Sequence, residues 1–199
     1  MSEQDKINWN NTYLTTKVSE MPWYNPELDE DVEKALNRLK LTSGTFLDLG
    51  TGPATQAKNL ADKGFTVTGT DISAEAIHLA SQLFDNIGFI EDDILETKLT
   101  GKFDNILDRG CFHVIDIDKR EVYCKNVFHL LNESGRIFLK CFSNRMPETG
   151  FGPHRISEEE IKNAFQEKFI IEEMYHTEFS NNLREIKALF VILRKNTPL

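Results

Sequence analysis

The stretch Phe46-Leu-Asp-Leu-Gly-Thr-Gly-Pro-Ala-Thr-Gln56 joins a short apolar run to a segment with helical spacing. The run carries an acid, Asp48, and is followed by a Gly50-Thr-Gly52 turn. Glycines let a backbone approach a ligand closely, and open α/β sheets bind ligands beyond the carboxyl ends of their strands. The stretch therefore predicts a nucleotide-like ligand. Because Gly-x-Gly also occurs in ordinary tight turns, other residues are needed to identify it.

Short apolar runs alternate with longer helical ones along the chain. The strand-like runs are 45–49, 65–69, 87–90, 103–107, 136–140, 169–174 and 188–193, and the helical ones between them are 53–63, 74–84, 119–131 and 157–165. Regular alternation predicts an α/β fold with a doubly wound, Rossmann-like sheet of seven strands. Only a short polar stretch separates the last two runs, so we expect them to pair as a hairpin with an antiparallel last strand.

Several local signals mark the ends of these elements. Pro53 suits a first helical turn, Ser73 an N-cap and Gly64 a helix end, and Ser157 with Glu160 forms a capping-box pattern. No repeat or flexible linker divides the chain, which predicts one domain over 1–199. Within it, 1–41 is expected to be a cover segment ending in an amphipathic helix over 27–41, and 45–193 the Rossmann-like core.

Composition excludes several classes of partner. The chain has 23 Lys and Arg against 32 Asp and Glu, a formal charge of −9, which disfavours nucleic acid as a partner. No apolar run is long enough to span a membrane, and the polar, acidic start is unlike a signal peptide, so we expect a cytoplasmic protein. The three cysteines show no metal-ligand spacing, which predicts reduced thiols and no metal site.

The first turn is poorly suited to phosphate. A dinucleotide motif needs glycine where this chain has Thr55, and Pro53 removes one backbone N–H from the helix start. Asp48 would repel a diphosphate but attract an ammonium or sulfonium ion. A cationic ligand is therefore favoured over a nicotinamide dinucleotide.

Acids also follow the next two strands. Asp71 lies 23 residues after Asp48, close to the spacing at which an acid binds ribose hydroxyls, and Ile72 would cover one face of an adenine. After the third strand, Asp93 offers a carboxylate to an exocyclic amine, with the Ile94 amide beside the ring. A sugar, a base and a cationic centre without phosphate describe S-adenosyl-L-methionine.

Each acid has a simpler interpretation. Asp71 can cap the helix that begins after Ser73, and Asp92 with Asp93 can form a solvated turn. For either position alone the simpler interpretation is at least as good. Acids at three successive strand ends favour the cofactor.

These motifs resemble a known family. The matching stretches for the class I S-adenosylmethionine-dependent methyltransferases are Leu47-Asp-Leu-Gly-Thr-Gly52, Gly69-Thr-Asp71 and Asp93-Ile-Leu95. The stretches similar to its thiopurine S-methyltransferase-like branch are Phe103-Asp-Asn-Ile-Leu-Asp-Arg-Gly-Cys-Phe-His113, the helix bearing Tyr123, Gly152-Pro-His-Arg-Ile156, and Trp9, Tyr13, Pro22 and Trp23.

The resemblance implies site roles. It places Asp48, Leu49, Gly50 and Gly52 at the methionine end, Asp71 at the ribose, Asp93 and Ile94 at the adenine, Trp9, Tyr13 and Arg109 over the cofactor, and Trp23 at the acceptor. Many members have a third glycine where this chain has Ala54. Because we expect Ala54 in a helical first turn, its methyl group should not prevent cofactor binding.

The loop after the fourth strand would meet the acceptor. His113 is a candidate base or substrate orienter, and its alternative is a structural histidine. Cys111 would line the same place, where a buried inert thiol is the commoner finding. Arg155, with His154 and Arg145, can steer an anionic acceptor or be merely solvated. Lys140 would face the site or emerge at the strand end.

The resulting hypothesis is methyl transfer to a small-molecule acceptor. The resemblance implies a thiol, a thiopurine, a halide, or an oxyanion of selenium or tellurium. Alternatives are an O- or N-methyltransferase of a small metabolite and a cofactor-binding protein without catalysis. Since displacement at a sulfonium methyl needs alignment more than acid–base chemistry, no side chain is assigned with certainty as catalytic.

Overall fold

The computed structural model describes residues 2–146, 153–179 and 186–196. Its strands are β1 Thr45–Leu49, β2 Thr66–Asp71, β3 Gly88–Glu91, β4 Phe103–Arg109, β5 Leu131–Phe142, β6 Phe169–Phe179 and β7 Ile186–Lys195. They form one sheet in the order β3-β2-β1-β4-β5-β7-β6. Neighbouring strands from β3 to β5 are parallel, and β7 is antiparallel to β5 and β6. The predicted fold, including the antiparallel last strand, is confirmed.

Helices pack on both faces of this sheet. They are α1 Glu3–Thr15, α2 Glu30–Leu39, α3 Thr55–Asp62, α4 Ala74–Leu83, α5 Arg120–Leu130 and α6 Glu158–Phe165. Because side chains alternate along a strand, neighbouring residues of β1 enter different cores. Phe46 packs in the cluster that holds buried residues of α2 and α3, and Leu47 packs in the cluster of α5 and α6.

The segment predicted as a cover contains a helix that the sequence did not predict. α1 is held at its start by a reciprocal capping box between Ser2 and Asp5. Its sequence lacks the regular apolar spacing by which helices are recognised, and none of its residues is fully buried in the structure. It packs against α4, where the Ser73 hydroxyl donates to Asn10 Oδ1 at 2.7 Å.

Two helices begin at least two residues later than predicted. α3 starts at Thr55 rather than at 53, because Ala54 has a left-handed backbone at φ 59° and breaks the helical path. The expectation that Ala54 lies in a helical turn is therefore wrong, although the residue is fully buried. α2 starts at Glu30 rather than at 27, because Asp29 is its N-cap and accepts from the Asp31 amide.

A buried ion-pair cluster ties the N-terminal segment to the sheet. Lys140 is 1% exposed, and its Nζ lies 2.8 Å from Asp29 Oδ1 and 2.7 Å from Asp31 Oδ2. Asp29 also accepts from Arg109 Nε at 2.8 Å, and Asp31 accepts from the Thr177 hydroxyl. The sequence had suggested that Lys140 faces the site or emerges at the strand end. The structure shows neither, because Lys140 is buried among carboxylates. Its charge is neutralised inside the fold.

Asp29→Ala should destabilise the protein strongly, since it leaves two buried cations short of a carboxylate. Breaking a buried pair from one side costs about 3–5 kcal/mol in the free energy of unfolding. Urea denaturation measures this change. The control is Asp62→Ala, which removes an exposed pair with Lys58 and should cost less than about 1 kcal/mol. Equal losses in the two variants would contradict the structural importance of the cluster.

Candidate functional site

A cavity of about 690 Å³ opens at the carboxyl ends of the parallel strands. Its volume is typical of small-molecule sites, which span about 300–1,000 Å³. One wall comes from the ends of β1, β2 and β3, another from the loop after β4, and a third from α1 and the segment that follows it. The cavity therefore lies where a doubly wound sheet is expected to bind its ligand.

Most of the predicted site residues meet in this cavity. The predicted cofactor residues on its wall are Trp9, Tyr13, Leu49, Gly50, Asp71, Ile72, Asp93, Ile94 and Arg109, and the predicted acceptor residues are Trp23, Cys111 and His113. Asp48, Gly52 and Arg155 do not lie on the wall. Asp48 and Gly52 are buried, and Arg155 is half-buried.

The glycine turn allows the N-terminal segment to approach the sheet. Gly50 and Gly52 have positive φ angles of 65° and 51°, a conformation that favours glycine. A Cβ added at Gly52 would lie 2.7 Å from the Tyr13 hydroxyl and 3.8 Å from Trp23 Nε1. Gly52 is therefore covered by these aromatic side chains, whereas Gly50 is on the cavity wall.

Asp71 joins the glycine turn to the start of α4. Its two carboxylate oxygens accept from the backbone N–H groups of Gly52 at 3.0 Å and Ser73 at 2.9 Å. Burial raises the pKa of Asp71 to about 6. The bond from the Ser73 amide shows that Asp71 also helps to cap the start of α4, which was the simpler interpretation of this residue. A carboxylate has about four lone-pair sites, which is more than these backbone donors use, so Asp71 can still accept from a ligand at the cavity.

Asp48 lies behind the turn rather than on the wall. It is 3% exposed and accepts from the Thr51 hydroxyl at 2.7 Å. Burial, with the nearby Asp108 and Asp71 carboxylates, raises the pKa of Asp48 to about 7. In this structure Asp48 can act on a bound ligand through its charge and through the shape it gives the turn.

The turn after β3 offers two carboxylates. Asp93 Oδ1 accepts from the Leu95 amide, and Asp92 Oδ1 accepts from the Lys98 amide, both at 2.9 Å. Asp92 Oδ2 is buried and has no hydrogen-bond partner among the described residues. A buried acceptor without a partner is costly unless a ligand or water satisfies it. Sequence reasoning preferred Asp93, and the structure adds Asp92 beside it on the wall.

Aromatic side chains of the N-terminal segment close one side of the cavity. The ring of Trp23 lies edge-on to those of Trp9 and Tyr13, at centroid distances of 5.5 and 6.2 Å. Arg109 Nη1 donates to the Trp23 carbonyl at 3.1 Å while Nε binds Asp29. Arg109 therefore links this aromatic cover to the end of β4. The sequence did not single out Asp5 and Asn8 of α1, which also line the cavity.

One buried carboxylate organises the loop after β4. Asp108 accepts from the backbone N–H groups of Gly110, Cys111 and Phe112, and from the Tyr123 hydroxyl at 2.5 Å. Burial nevertheless raises the pKa of Asp108 to about 6. With this many fixed donors, the loop has a defined shape, and the positions of Cys111 and His113 follow from it.

Cys111 contributes an apolar surface to the cavity. Burial, together with the charges of Asp108, Asp71 and Asp93, raises the pKa of the Cys111 thiol well above its usual range. A thiol held in the protonated form is a poor nucleophile. The structure thus favours the inert interpretation of this residue.

His113 is buried and neutral. Its Nδ1 accepts from the Phe142 backbone N–H at 3.0 Å, and its ring packs on Phe142 at 4.3 Å between centroids. Burial, together with the positive charges of His154, Arg109 and Arg155, lowers the pKa of His113 to about 3. Because the lone pair of a neutral imidazole is already used at Nδ1, this geometry favours an orienting role over a base role.

Charge is unevenly distributed around the cavity. The carboxylates of Asp71, Asp92 and Asp93 follow β2 and β3, whereas Arg109 and His154 follow β4 and β5. Since β1 lies between these two pairs of strands, the acids and basic groups on the cavity wall lie at opposite ends. Behind the basic end, Arg109 is paired with Asp29, and the Asp108 carboxylate binds the loop after β4. Asp116, which pairs with Lys119, is an exposed exception at the rim. Arg155 lies behind the basic end, where Nη1 donates to the Pro153 carbonyl.

Neither a candidate metal site nor a candidate membrane-spanning helix is found in the described part of the chain. No group of three or more His, Cys, Asp or Glu side chains there has the geometry to hold a metal ion. No helix there is long and apolar enough to cross a membrane. Gly152, part of one motif quoted above, lies outside the described residues.

The sequence is similar to known methyltransferases. The sequence model of the thiopurine S-methyltransferase family matches residues 4–196. An uncharacterized methyltransferase of Schizosaccharomyces pombe is 35% identical over 102 residues, which are 49% of this chain and 70% of that protein. The 2-heptyl-1-hydroxyquinolin-4(1H)-one methyltransferase of Mycobacteroides abscessus is 27% identical over 160 residues, 77% of this chain and 70% of that one.

Solved structures share the fold. A protein described for the conversion of a disulfide bond into a thioacetal group in echinomycin biosynthesis superposes with a TM-score of 0.83 at 20% identity, covering 96% of this chain and 93% of its own. Several similar folds are methyltransferases crystallised with S-adenosylhomocysteine. From the family match across nearly its whole length, the chain belongs to the thiopurine S-methyltransferase family and is an S-adenosylmethionine-dependent methyltransferase.

Proposed function

We propose that the methyl acceptor is a small thiol or thiopurine whose sulfur reacts as an anion. The observation that carries this proposal is the separation of charge in the cavity, with carboxylates after β2 and β3 and basic groups after β4 and β5. The acidic end suits the cationic, hydroxyl-rich cofactor. The basic end suits an anionic acceptor.

The cofactor fits the acidic end in one orientation. Asp71 would accept from the ribose hydroxyls, and Ile72 and Ile94 would lie against the adenine. The adenine amine would donate to Asp93 or to the unsatisfied buried oxygen of Asp92. The methionine portion would then pass over Gly50 beneath the aromatic cover.

Alignment and exclusion of water are what the protein supplies to the reaction. S-adenosylmethionine would supply a methyl group bonded to a sulfonium sulfur, for in-line attack by a nucleophile at the methyl carbon with a neutral thioether as the leaving group. Holding two reactants in a near-attack arrangement lowers a barrier by up to about 7–11 kcal/mol. Trp9, Tyr13 and Trp23 cover the cavity and would keep water from the sulfonium.

Flat aromatic walls support a planar acceptor over a bare ion. Trp23, Phe142 and Phe179 all face the cavity, and they offer contact area but no charge. Halides and oxyanions of selenium or tellurium therefore rank below thiols and thiopurines. Such small ions would use only the hydrogen-bond donors of the basic end.

Oxygen methylation of a hydroxylated heterocycle is the second candidate. The Mycobacteroides abscessus relative is named for a hydroxyquinolone, which is planar and carries an N-hydroxyl group. A deprotonated hydroxyl would meet the same basic end. N-methylation and loss of catalysis have no comparable support in the cavity.

Composition and packing support three further parts of the proposal. Cys111, Cys124 and Cys141 are free thiols, which supports a reducing, cytoplasmic location. The charge of −9 supports a small-molecule acceptor rather than nucleic acid. The shared sheet and the packing of α1 on α4 support a single domain over 1–199.

Asp71→Ala should weaken binding of S-adenosylmethionine by more than tenfold, because it removes the proposed ribose acceptor and a partner of the Gly52 amide. Isothermal titration calorimetry measures the dissociation constant. Asp62→Ala on the surface of α3 is the matched control and should bind like the wild type. Wild-type affinity in Asp71→Ala would contradict the ribose role.

The preference for S-adenosylmethionine over S-adenosylhomocysteine should fall, by about tenfold, as the pH is lowered from 8 to 5. Asp48 and Asp71, with pKa values of about 7 and 6, are ionised at the upper end of this interval and protonated at the lower end. Only the first ligand carries the sulfonium charge that these carboxylates attract, and both share the same amino group. Calorimetry with both ligands gives the ratio.

Asp48→Asn should flatten that dependence, since the amide oxygen can still accept from Thr51 but carries no charge. A ratio that stays constant with pH in the wild type would argue against carboxylate recognition of the sulfonium.

A screen of acceptors with labelled S-adenosylmethionine, read by mass spectrometry, tests the function itself. Aryl thiols and thiopurines should be methylated at least about tenfold more efficiently than halides, selenite, tellurite or hydroxyquinolones, judged by kcat/KM. Preference for a hydroxylated heterocycle would establish the second candidate. Cofactor binding without turnover of any acceptor would overturn both.

A further inference from the structure

His113 is fixed in a single protonation form by a main-chain contact. The Phe142 amide can only donate, so Nδ1 of His113 must be the acceptor, and the ring proton then lies on Nε2. No described residue accepts a hydrogen bond from Nε2. His113 therefore presents an N–H donor on the cavity wall that no described residue uses.

The unused donor has room beside it for a ligand. A Cβ added at Gly110 would touch His113 Cε1 at 3.4 Å and Nε2 at 3.5 Å, so glycine keeps this edge of the ring clear. Gly110 and His113 both line the cavity. Phe142 at 4.3 Å and Phe179 at 6.3 Å, measured between centroids, hold the ring from the other sides.

The charges around His113 favour an anion there. Burial, together with the positive charges of Arg109 and Arg155, lowers the pKa of His113 to about 3, and Arg109 is itself paired with Asp29 behind the cavity. The ring therefore stays neutral through the physiological range, with its donor unchanged. A neutral N–H donor beside arginine side chains suits an anionic ligand. The ring cannot also remove a proton from a neutral acceptor, because its basic nitrogen, Nδ1, already accepts from the Phe142 amide.

We propose that His113 is a positioning donor whose Nε2–H binds the attacking atom of the acceptor, and that the acceptor reacts as an anion already formed in solution. This proposal rests on the methyl transfer proposed above and deepens it. It selects acidic thiols, or acidic hydroxyls, over neutral alcohols and amines.

The reaction balances without a base from His113. A lone pair of the anionic sulfur or oxygen forms the new bond to the methyl carbon. The bond from that carbon to the sulfonium breaks, and its electron pair stays on the cofactor sulfur as a neutral thioether. The acceptor has lost its proton to solvent beforehand, so no proton is released in the step.

The direct test uses binding, not turnover. The probe is 4-methylthiophenol, which ionises near neutral pH and whose thiol and thiolate differ in absorbance, titrated with pH on protein saturated with S-adenosylhomocysteine. We expect the bound probe to ionise at least about one pH unit below the free probe, since a hydrogen bond to a charged group is worth a factor of about ten or more. A bound neutral thiol, or no binding, would overturn the proposal.

Two substitutions separate a donor from a base. His113→Gln places an amide N–H near the position of Nε2 and cannot act as a base, so it should keep kcat/KM within about fivefold. His113→Phe keeps the ring volume and loses the donor, so it should lose about 10- to 100-fold with unchanged affinity for the cofactor. His78→Gln, on the exposed face of α4, is the control and should match the wild type.

Equal losses in His113→Gln and His113→Phe, in folded protein that binds the cofactor, would show a base and overturn the proposal. The wild type gives an independent check if either variant fails to fold. In a series of aryl thiols, the acidic limb of kcat/KM should follow the pKa of each thiol. If the acidic limb instead lies at the same pH for every thiol and disappears in His154→Gln, a protein base removes the proton and the proposal is overturned. A thiolate bound through His113 without methylation would sustain this proposal while refuting the proposed function.

Discussion

Burial of carboxylates at the ends of parallel strands is the constraint on which the site depends. Asp48, Asp71 and Asp108 are the acids at the ends of β1, β2 and β4, and burial raises the pKa of each. A carboxylate in such a position needs hydrogen-bond donors. The donors come from the adjacent turns, so the same acids that bear charge also determine the shape of the backbone around the cavity.

A second buried cluster determines where the cover lies. Asp29 binds both Lys140 of β5 and Arg109 of β4, and Arg109 also holds the Trp23 carbonyl. The aromatic side chains over the cavity are therefore attached to the sheet by paired charges, not only by apolar contact. This explains how an N-terminal segment with few buried residues takes a definite position.

The sequence predicted the sheet because strand and helix patterns alternate regularly, and it predicted the acids because they stand at strand ends. It missed α1, whose exposed faces leave no apolar period, and it placed Ala54 in a helix because nothing in the local sequence signals a left-handed alanine. The pairing of Lys140 with Asp29 spans 111 positions and is invisible to any local pattern. The protonation form of His113 likewise depends on a distant amide.

The central claim is that opposite charges at the two ends of one cavity orient the cofactor and the acceptor toward each other. A crystal structure with S-adenosylhomocysteine tests this most directly. The account predicts the adenine amine at Asp92 or Asp93, the ribose at Asp71, and the thioether sulfur directed toward His113 and Arg109. A nucleoside seated at the Arg109 and His154 end, or bound outside the cavity, would contradict it.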